Sequence, residues 1–383
     1  MNNHKKYKYN NIDQDNRVLI ANSNKVDNLE TNNSALVNKR IDYFDWLRIL
    51  CSFSVIFLHS AHQNQTICKI NSHEWKILIF YEGIVRFGVP IFFMISGTIF
   101  LEKNISFSIM LKKYIKKIYI NRIFWSFCYS LREKIIKKHT YKNTFLLFLN
   151  GPYHLWYLFR ICALYLITPF LKGFTKNDQL LIIFLTLNFI FGLLFNNLLT
   201  FLSYFSKDYY NTFNQILGKY DLNGFFEKTL FYYILGFYLN KVNIKPILRK
   251  IIYILGICGM IFTSGMIYFI SLKKNEKINF FSSKCINVFF PSIAIFIFFK
   301  YNFNDLKYRK GIKEFIQKLG RLTFGIYIIH PLVVDEFNIR FKFNNLSFEP
   351  LYSVPIISLI TFLISSLIVY LIKLIPFINQ YIF

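Results

Sequence analysis

The chain has 383 residues, of which 54% are hydrophobic and 20% aromatic, and its 46 Lys and Arg against 20 Asp and Glu give a formal net charge of +26. This composition excludes an ordinary soluble domain, because the long uncharged runs would exceed any core able to bury them. In a soluble protein the cations would suggest nucleic acid, but here they fall in short segments between apolar runs, as at a membrane surface, and part of the Lys, Asn, Ile and Phe excess is also what an A·T-rich genome produces.

Residues 1–40 are rich in Asn, Asp and Lys with few large apolar side chains, so they are expected to form a disordered tail. No apolar segment follows the early lysines until Tyr43, so the tail does not read as a cleavable signal. Residues 41–383 read as one all-α, polytopic integral membrane domain with about ten transmembrane helices. The crossings are expected at about 43–61, 84–101, 118–132, 154–171, 179–199, 225–239, 251–272, 285–300, 322–338 and 353–379. An even number places both termini on one side. The loops on that side hold a slight excess of Lys and Arg, enlarged by the tail, which makes it the cytoplasmic side. The six cysteines, Cys51, Cys68, Cys128, Cys162, Cys258 and Cys285, show no paired spacing and indicate neither a disulfide framework nor a metal site.

The first crossing carries three ionisable side chains, each costly at membrane depth. Asp45 and Arg48 are three residues apart and can pair on one face. Arg48 and His59 return to within about 20° of one azimuth and stand roughly 16 Å apart along the axis. One stripe thus holds a fixed cation near the inner end and a titratable imidazole toward the outer side, a spacing comparable to an extended pantetheine arm. The plainer alternative is a helix-end ion pair with an unrelated buried histidine. In the second crossing Pro90 frees a backbone carbonyl. Ser96-Gly97 either lets a neighbouring helix approach or offers a hydroxyl and open backbone to a ligand.

Four separated segments, in family order, resemble the acyltransferase family 3 membrane proteins, which include O-acetyltransferases of lipopolysaccharide, peptidoglycan and enterobacterial common antigen. They are Asp45 to His59, with ten residues between Arg48 and His59; Val89 to Gly97; His154 to Leu158 with Tyr165 to Pro169; and Leu319 to Pro331, which contains Tyr327 and His330. The resemblance implies that Arg48 and His59 are essential, that Ser96 and Gly97 line the same site, and that an acyl-CoA donor is taken from the cytoplasmic side. The loop after the second crossing departs from the family pattern. Lysines replace the expected arginines, in Lys112, Lys113, Lys116 and Lys117 ahead of Arg122, and Asn121 stands where a proline is expected. Lys113, Lys116, Lys117 and Arg122 remain candidates for the donor's phosphates, although lysine offers a point charge without arginine's fork. A solvated, positive-inside loop is the alternative.

His154 and Trp156 sit at an expected interface, where tryptophan is ordinary belt material. With Tyr327 and His330 they are candidates for contact with the acceptor, a structural hydrogen bond being the alternative for His330. Glu82, Arg86, Arg160, Asp335 and Glu336 are further ionisables near helix ends, which snorkelling or mutual pairing can explain.

The resemblance implies a multi-pass O-acyltransferase of the bacterial inner membrane. It would carry acetyl, or another short acyl group, from acetyl-CoA to a hydroxyl of a surface polysaccharide or its lipid-linked precursor, with no permanently bound cofactor, no metal and no nucleic-acid partner. His59 would activate the acceptor hydroxyl or accept the acyl group transiently, while Arg48, held by Asp45, anchors the donor. The chain stops at Phe383, just after the last expected crossing, so the membrane domain or a separate partner is expected to complete the transfer. The rival reading is a transporter or flippase, against which the two halves show no matching pair of interrupted helices.

Overall fold

The computed structural model describes residues 41–204, 206–219, 228–278, 286–304 and 309–376. The expected tail of residues 1–40 lies outside the described residues, as do Cys285, the start of the crossing expected at 225–239 and the end of that expected at 353–379.

Helix α1, Asp42–His62, opens with Asp42 and Asp45 at the helix end where unpaired N–H groups favour negative charge. Helix α2, His73–Val85, is capped by Ser72, whose hydroxyl accepts from the Trp75 N–H. After a break at Arg86 and Phe87 comes α3, Gly88–Glu102. Pro90 lies in its first turn, where proline is tolerated. The crossing expected at 84–101 is thus the second half of a 30-residue segment, His73–Glu102.

A π-helical turn at Met110–Ile115 leads into α4, Lys116–Lys137. Thr140 caps α5, Tyr141–Asn150, and Gly151, at a φ of 71° that disfavours any side chain, ends it. A single 3₁₀ turn, Tyr153–Leu155, then feeds α6, Trp156–Thr175. Helix α7, Asp178–Leu187, runs on through π-helical Asn188–Phe195 into α8, Asn196–Ser203. The remaining helices are α9, Lys207–Lys219, α10, Lys228–Lys241, α11, Pro246–Lys274, α12, Ile286–Phe303, α13, Lys310–Arg340, and α14, Pro350–Lys373. Pro246 and Pro350 stand at the starts of α11 and α14, where a missing N–H costs no hydrogen bond.

The described residues contain helices and no strand, and eight segments among them are long and apolar enough to cross a membrane. These are Asp42–Ile67, His73–Glu102, Tyr141–Thr175, Asp178–Ser203, Pro246–Lys274, Ile286–Phe303, Lys310–Arg340 and Pro350–Lys373. The chain is an all-α polytopic membrane protein. The crossings expected at 118–132 and 225–239 fall on α4 and α10. Helix α4 carries charges along its length, from Lys116 and Arg122 to Arg132 and Lys137. Helix α10 has 14 described residues, about 21 Å of helix against a hydrocarbon core of about 30 Å. It is buried from Phe231 to Gly236. By contrast, α11 exposes Ile254, Ile257 and Ile261 along one face, as a lipid-facing helix does.

Close backbone approaches at glycines lock the bundle around the first helix. A Cβ on Gly97 would lie 1.7 Å from the Tyr233 carbonyl oxygen, and one on Gly236 would lie 2.1 Å from that of Met94, so α3 and α10 touch backbone to backbone. A Cβ on Gly320 would lie 2.7 Å from a carboxylate oxygen of Asp45, which brings α13 against the start of α1. A Cβ on Gly88 would lie 2.3 Å from Ser54 Oγ and 3.0 Å from the Cys51 carbonyl oxygen, seating α3 on the middle of α1. One apolar cluster, including Ile56, Trp125, Tyr129, Leu155, Leu158, Ile328 and Phe362, joins α1, α4, α6, α13 and α14. It surrounds the histidines described next.

Candidate active site

Three imidazoles from different parts of the chain converge near the end of α1. The rings of His59 and His330 lie 5.3 Å apart, and those of His154 and His330 lie 6.0 Å apart. His59 is half-buried, whereas His154 and His330 are buried. The 3₁₀ turn after Gly151 places Tyr153 beside His59, with the hydroxyl 3.4 Å from Nδ1 and the rings edge to face at 5.4 Å.

Hydrogen bonding assigns the tautomers of the two buried histidines. His330 Nδ1 faces the carbonyl of Ile326 at 3.2 Å and must carry its proton there, so Nε2 presents a lone pair. His154 Nε2 faces the Ile328 carbonyl at 3.2 Å, so Nδ1 presents the lone pair. Both of these second nitrogens are buried without a hydrogen-bond partner among the described residues. A buried polar atom left this way is costly unless a ligand or water meets it. Tyr327 donates its hydroxyl to the His154 carbonyl and fixes the turn from the α13 side.

Arg48 occupies the other end of the stripe. Its guanidinium bonds Asp45 at 3.0 Å, and Asp45 is fully buried while Arg48 retains 27% side-chain exposure. Arg48 and Ser96 lie within interaction range of the Tyr157 hydroxyl, and Ser96 within that of Tyr165. The ring of Tyr157 meets that of Tyr327 at 5.6 Å. The segment from Tyr153 to Tyr157 therefore lies beside His59 at one end and within electrostatic reach of Arg48 at the other. Gly97 serves the close approach of α10.

The remaining expected residues lie further out. Trp156 is 42% exposed and its ring meets Phe93 at 6.4 Å. Lys113 and Lys116 are exposed. Lys117 is half-buried, and burial together with neighbouring Lys113 lowers its pKa below the usual lysine value. Lys373 lies within electrostatic reach of Lys117 and Arg321, and its ammonium donates to the Arg321 carbonyl at 2.7 Å. Arg122 donates to the Leu149 carbonyl at 2.8 Å and lies over the Phe159 ring at 4.0 Å, so it braces α5 and α6.

Sequence reasoning did not single out Tyr153, Tyr157 and Tyr165, although Tyr157 and Tyr165 lie in segments that carry the resemblance, because a tyrosine in an aromatic-rich chain gives little signal of its own. Glu82 and Arg86 did give one: a carboxylate and a guanidinium four residues apart beside an apolar run. Glu82 is fully buried and binds Arg86 Nη2 at 2.6 Å and His62 Nδ1 at 2.9 Å. Arg132 binds Glu336 at 2.8 Å and Asp335 at 3.5 Å, which confirms mutual pairing there.

The helical bundle, with a histidine–tyrosine cluster and an ion-paired arginine on the same helix as one of its histidines, is that of a polytopic membrane protein. Residues 41–370 match the family model described as an acyltransferase domain. The chain belongs to acyltransferase family 3 and is a membrane acyltransferase. No curated protein and no solved structure matches it.

Proposed function

We propose that the protein transfers an acetyl or other short acyl group from acyl-CoA to a hydroxyl of a cell-surface polysaccharide or its lipid-linked precursor. In this reading it lies in the bacterial inner membrane with both termini in the cytoplasm. The observation that carries the reading is the pair His59 and His330, 5.3 Å apart, with the Nε2 lone pair of His330 buried and unmatched. Such a lone pair suits a hydroxyl that arrives as a donor.

The reaction follows from these groups. The reacting hydroxyl of the acceptor donates to His59 Nε2, while a neighbouring hydroxyl donates to His330 Nε2 and orients the acceptor. With its Nδ1 proton turned to the Tyr153 oxygen, His59 presents Nε2 as the base. As the acceptor oxygen attacks the thioester carbonyl carbon, its proton passes to His59 and a C–O bond forms. The C–S bond then breaks, and the CoA thiolate leaves with the proton returned from His59. Thioester and alcohol become ester and thiol, with no oxidant and no net charge change. Arg48, fixed by Asp45, and the exposed Lys113 and Lys116 with Lys117 suit the donor's phosphates as charge partners.

Mass spectrometry of surface glycans tests the proposal. A strain lacking the chain is expected to lose one acyl-bearing glycan, and the wild-type chain is expected to restore it. Identical glycans in the two strains contradict the proposal, and the mass lost names the acyl group and its host together.

A further inference from the structure

Acyl transfer beside His59 develops negative charge on the thioester oxygen, yet Arg48 stands three helical turns away and is bound to Asp45. A second cation is available nearer the chemistry. Helices α1 and α3 meet where Gly88 seats against Cys51, Ser54 and Val55. Earlier in sequence, Glu82 of α2 meets His62 near the end of α1, with its carboxylate 2.9 Å from Nδ1. Going backward from Gly88 to Glu82 thus moves forward along α1 from residues 51–55 to 62. Arg86, between those two contacts, falls beside the stretch of α1 between Val55 and His62, which contains His59, and its guanidinium is drawn by Glu82 toward the His62 end. Its electrostatic effect on the His59 imidazole agrees with this register.

The guanidinium is also held. Glu82, fully buried, binds Arg86 Nη2 at 2.6 Å and shares its other oxygen with His62, while Arg86 itself keeps 19% side-chain exposure. A buried carboxylate in a membrane helix is expensive and needs such partners. Its cost is offset by fixing the cation before the reaction begins, which is what electrostatic stabilisation of a transition state requires.

The geometry points to Arg86 as the group that stabilises the tetrahedral oxyanion during acyl transfer at His59, with Glu82 as its positioning residue. This rests on the acyl-transfer reading above and adds to it the residue that meets the developing charge. Arg86 would act in the transition state, so its loss should lower turnover while leaving donor binding nearly intact.

The test uses the full chain in isolated membranes, with radiolabelled acetyl-CoA and label followed into the glycan and lipid fraction. Arg86→Gln is expected to lower turnover about 100- to 1,000-fold, with the KM for acetyl-CoA within about threefold of wild type. Because Arg86→Gln leaves Glu82 a buried charge with one fewer partner, the double variant Glu82→Gln/Arg86→Gln serves as the folding control. It is expected to accumulate normally and stay as slow as the single variant. Should both neutral variants fail to accumulate, Arg86→Lys decides, with turnover roughly tenfold down because lysine lacks the planar fork.

Wild-type turnover in Arg86→Lys or Arg86→Gln would overturn the inference, as would recovery in the double variant, which would make the pair structural only. A KM that rises by the whole factor would reassign Arg86 to donor binding. If wild-type membranes transfer no label, the acyl-transfer reading fails as well. If wild type and Arg86→Gln transfer equally, only the role of Arg86 fails.

Discussion

The hydroxyl of Tyr153 lies 3.4 Å from Nδ1 of His59, although the two residues are 94 positions apart in the chain. In the proposed mechanism Nδ1 donates to the Tyr153 oxygen and Nε2 is left as the base, in the way a second partner fixes the tautomer of a catalytic imidazole. Tyr153→Phe removes the partner and keeps the ring. Turnover is expected to fall about 10- to 100-fold, with little change in the KM for acetyl-CoA. Kinetics in isolated membranes check this, and an unchanged turnover would show that the hydroxyl does not orient His59.

His330 is assigned to the acceptor. Replacing it by Phe keeps an aromatic ring in the buried site but removes the Nε2 lone pair. The KM for the acceptor is expected to rise roughly tenfold, the value of about one hydrogen bond, while the KM for the donor stays put. A donor effect of the same size would place His330 on the wrong substrate.

Arg48 is assigned to the donor. Arg48→Gln removes a charge-assisted contact worth about 1.5–3 kcal/mol, so the KM for acetyl-CoA is expected to rise about 10- to 100-fold. Equilibrium binding of acetyl-CoA to the purified chain measures this directly. Unaltered binding would mean that the Asp45–Arg48 pair only holds α1 against α13 at Gly320.

Gly97 and Gly173 provide a matched stability test. A methyl group on Gly97 would meet the Tyr233 backbone 1.7 Å away, whereas one on Gly173 meets nothing within 4 Å among the described residues. Gly97→Ala is expected to destabilise the bundle by more than about 3 kcal/mol, because backbone cannot yield as a side chain can. Gly173→Ala is expected to be neutral or to stabilise by up to about 1 kcal/mol. Thermal unfolding in detergent compares the two, and equal midpoints would contradict the α3–α10 contact.

Much of this arrangement was legible in the sequence because membrane depth makes certain residues conspicuous. Apolar runs gave the all-α membrane class, and the spacing of Arg48 and His59 placed them on one face, since helical geometry fixes azimuth without tertiary information. His330 stood out as an imidazole inside an apolar run. Tyr153 could not be found this way, because its importance comes from a 3₁₀ turn that carries it to a helix ninety residues earlier. The break at Arg86 and Phe87 was equally hidden: Pro90 drew attention to the helix start, but only the seating of Gly88 on α1 shows where Arg86 lies. Gly97 reads as either packing or ligand access, and the partner that shows its packing role, the Tyr233 backbone on α10, is invisible to local pattern.

The most direct measurement is label transfer by His59→Ala. Membranes carrying this variant should bind acetyl-CoA as the wild type does and pass no label into glycan or lipid. Wild-type transfer by His59→Ala would contradict the assignment of His59 as the base and, with it, the chemistry built on the three converging imidazoles.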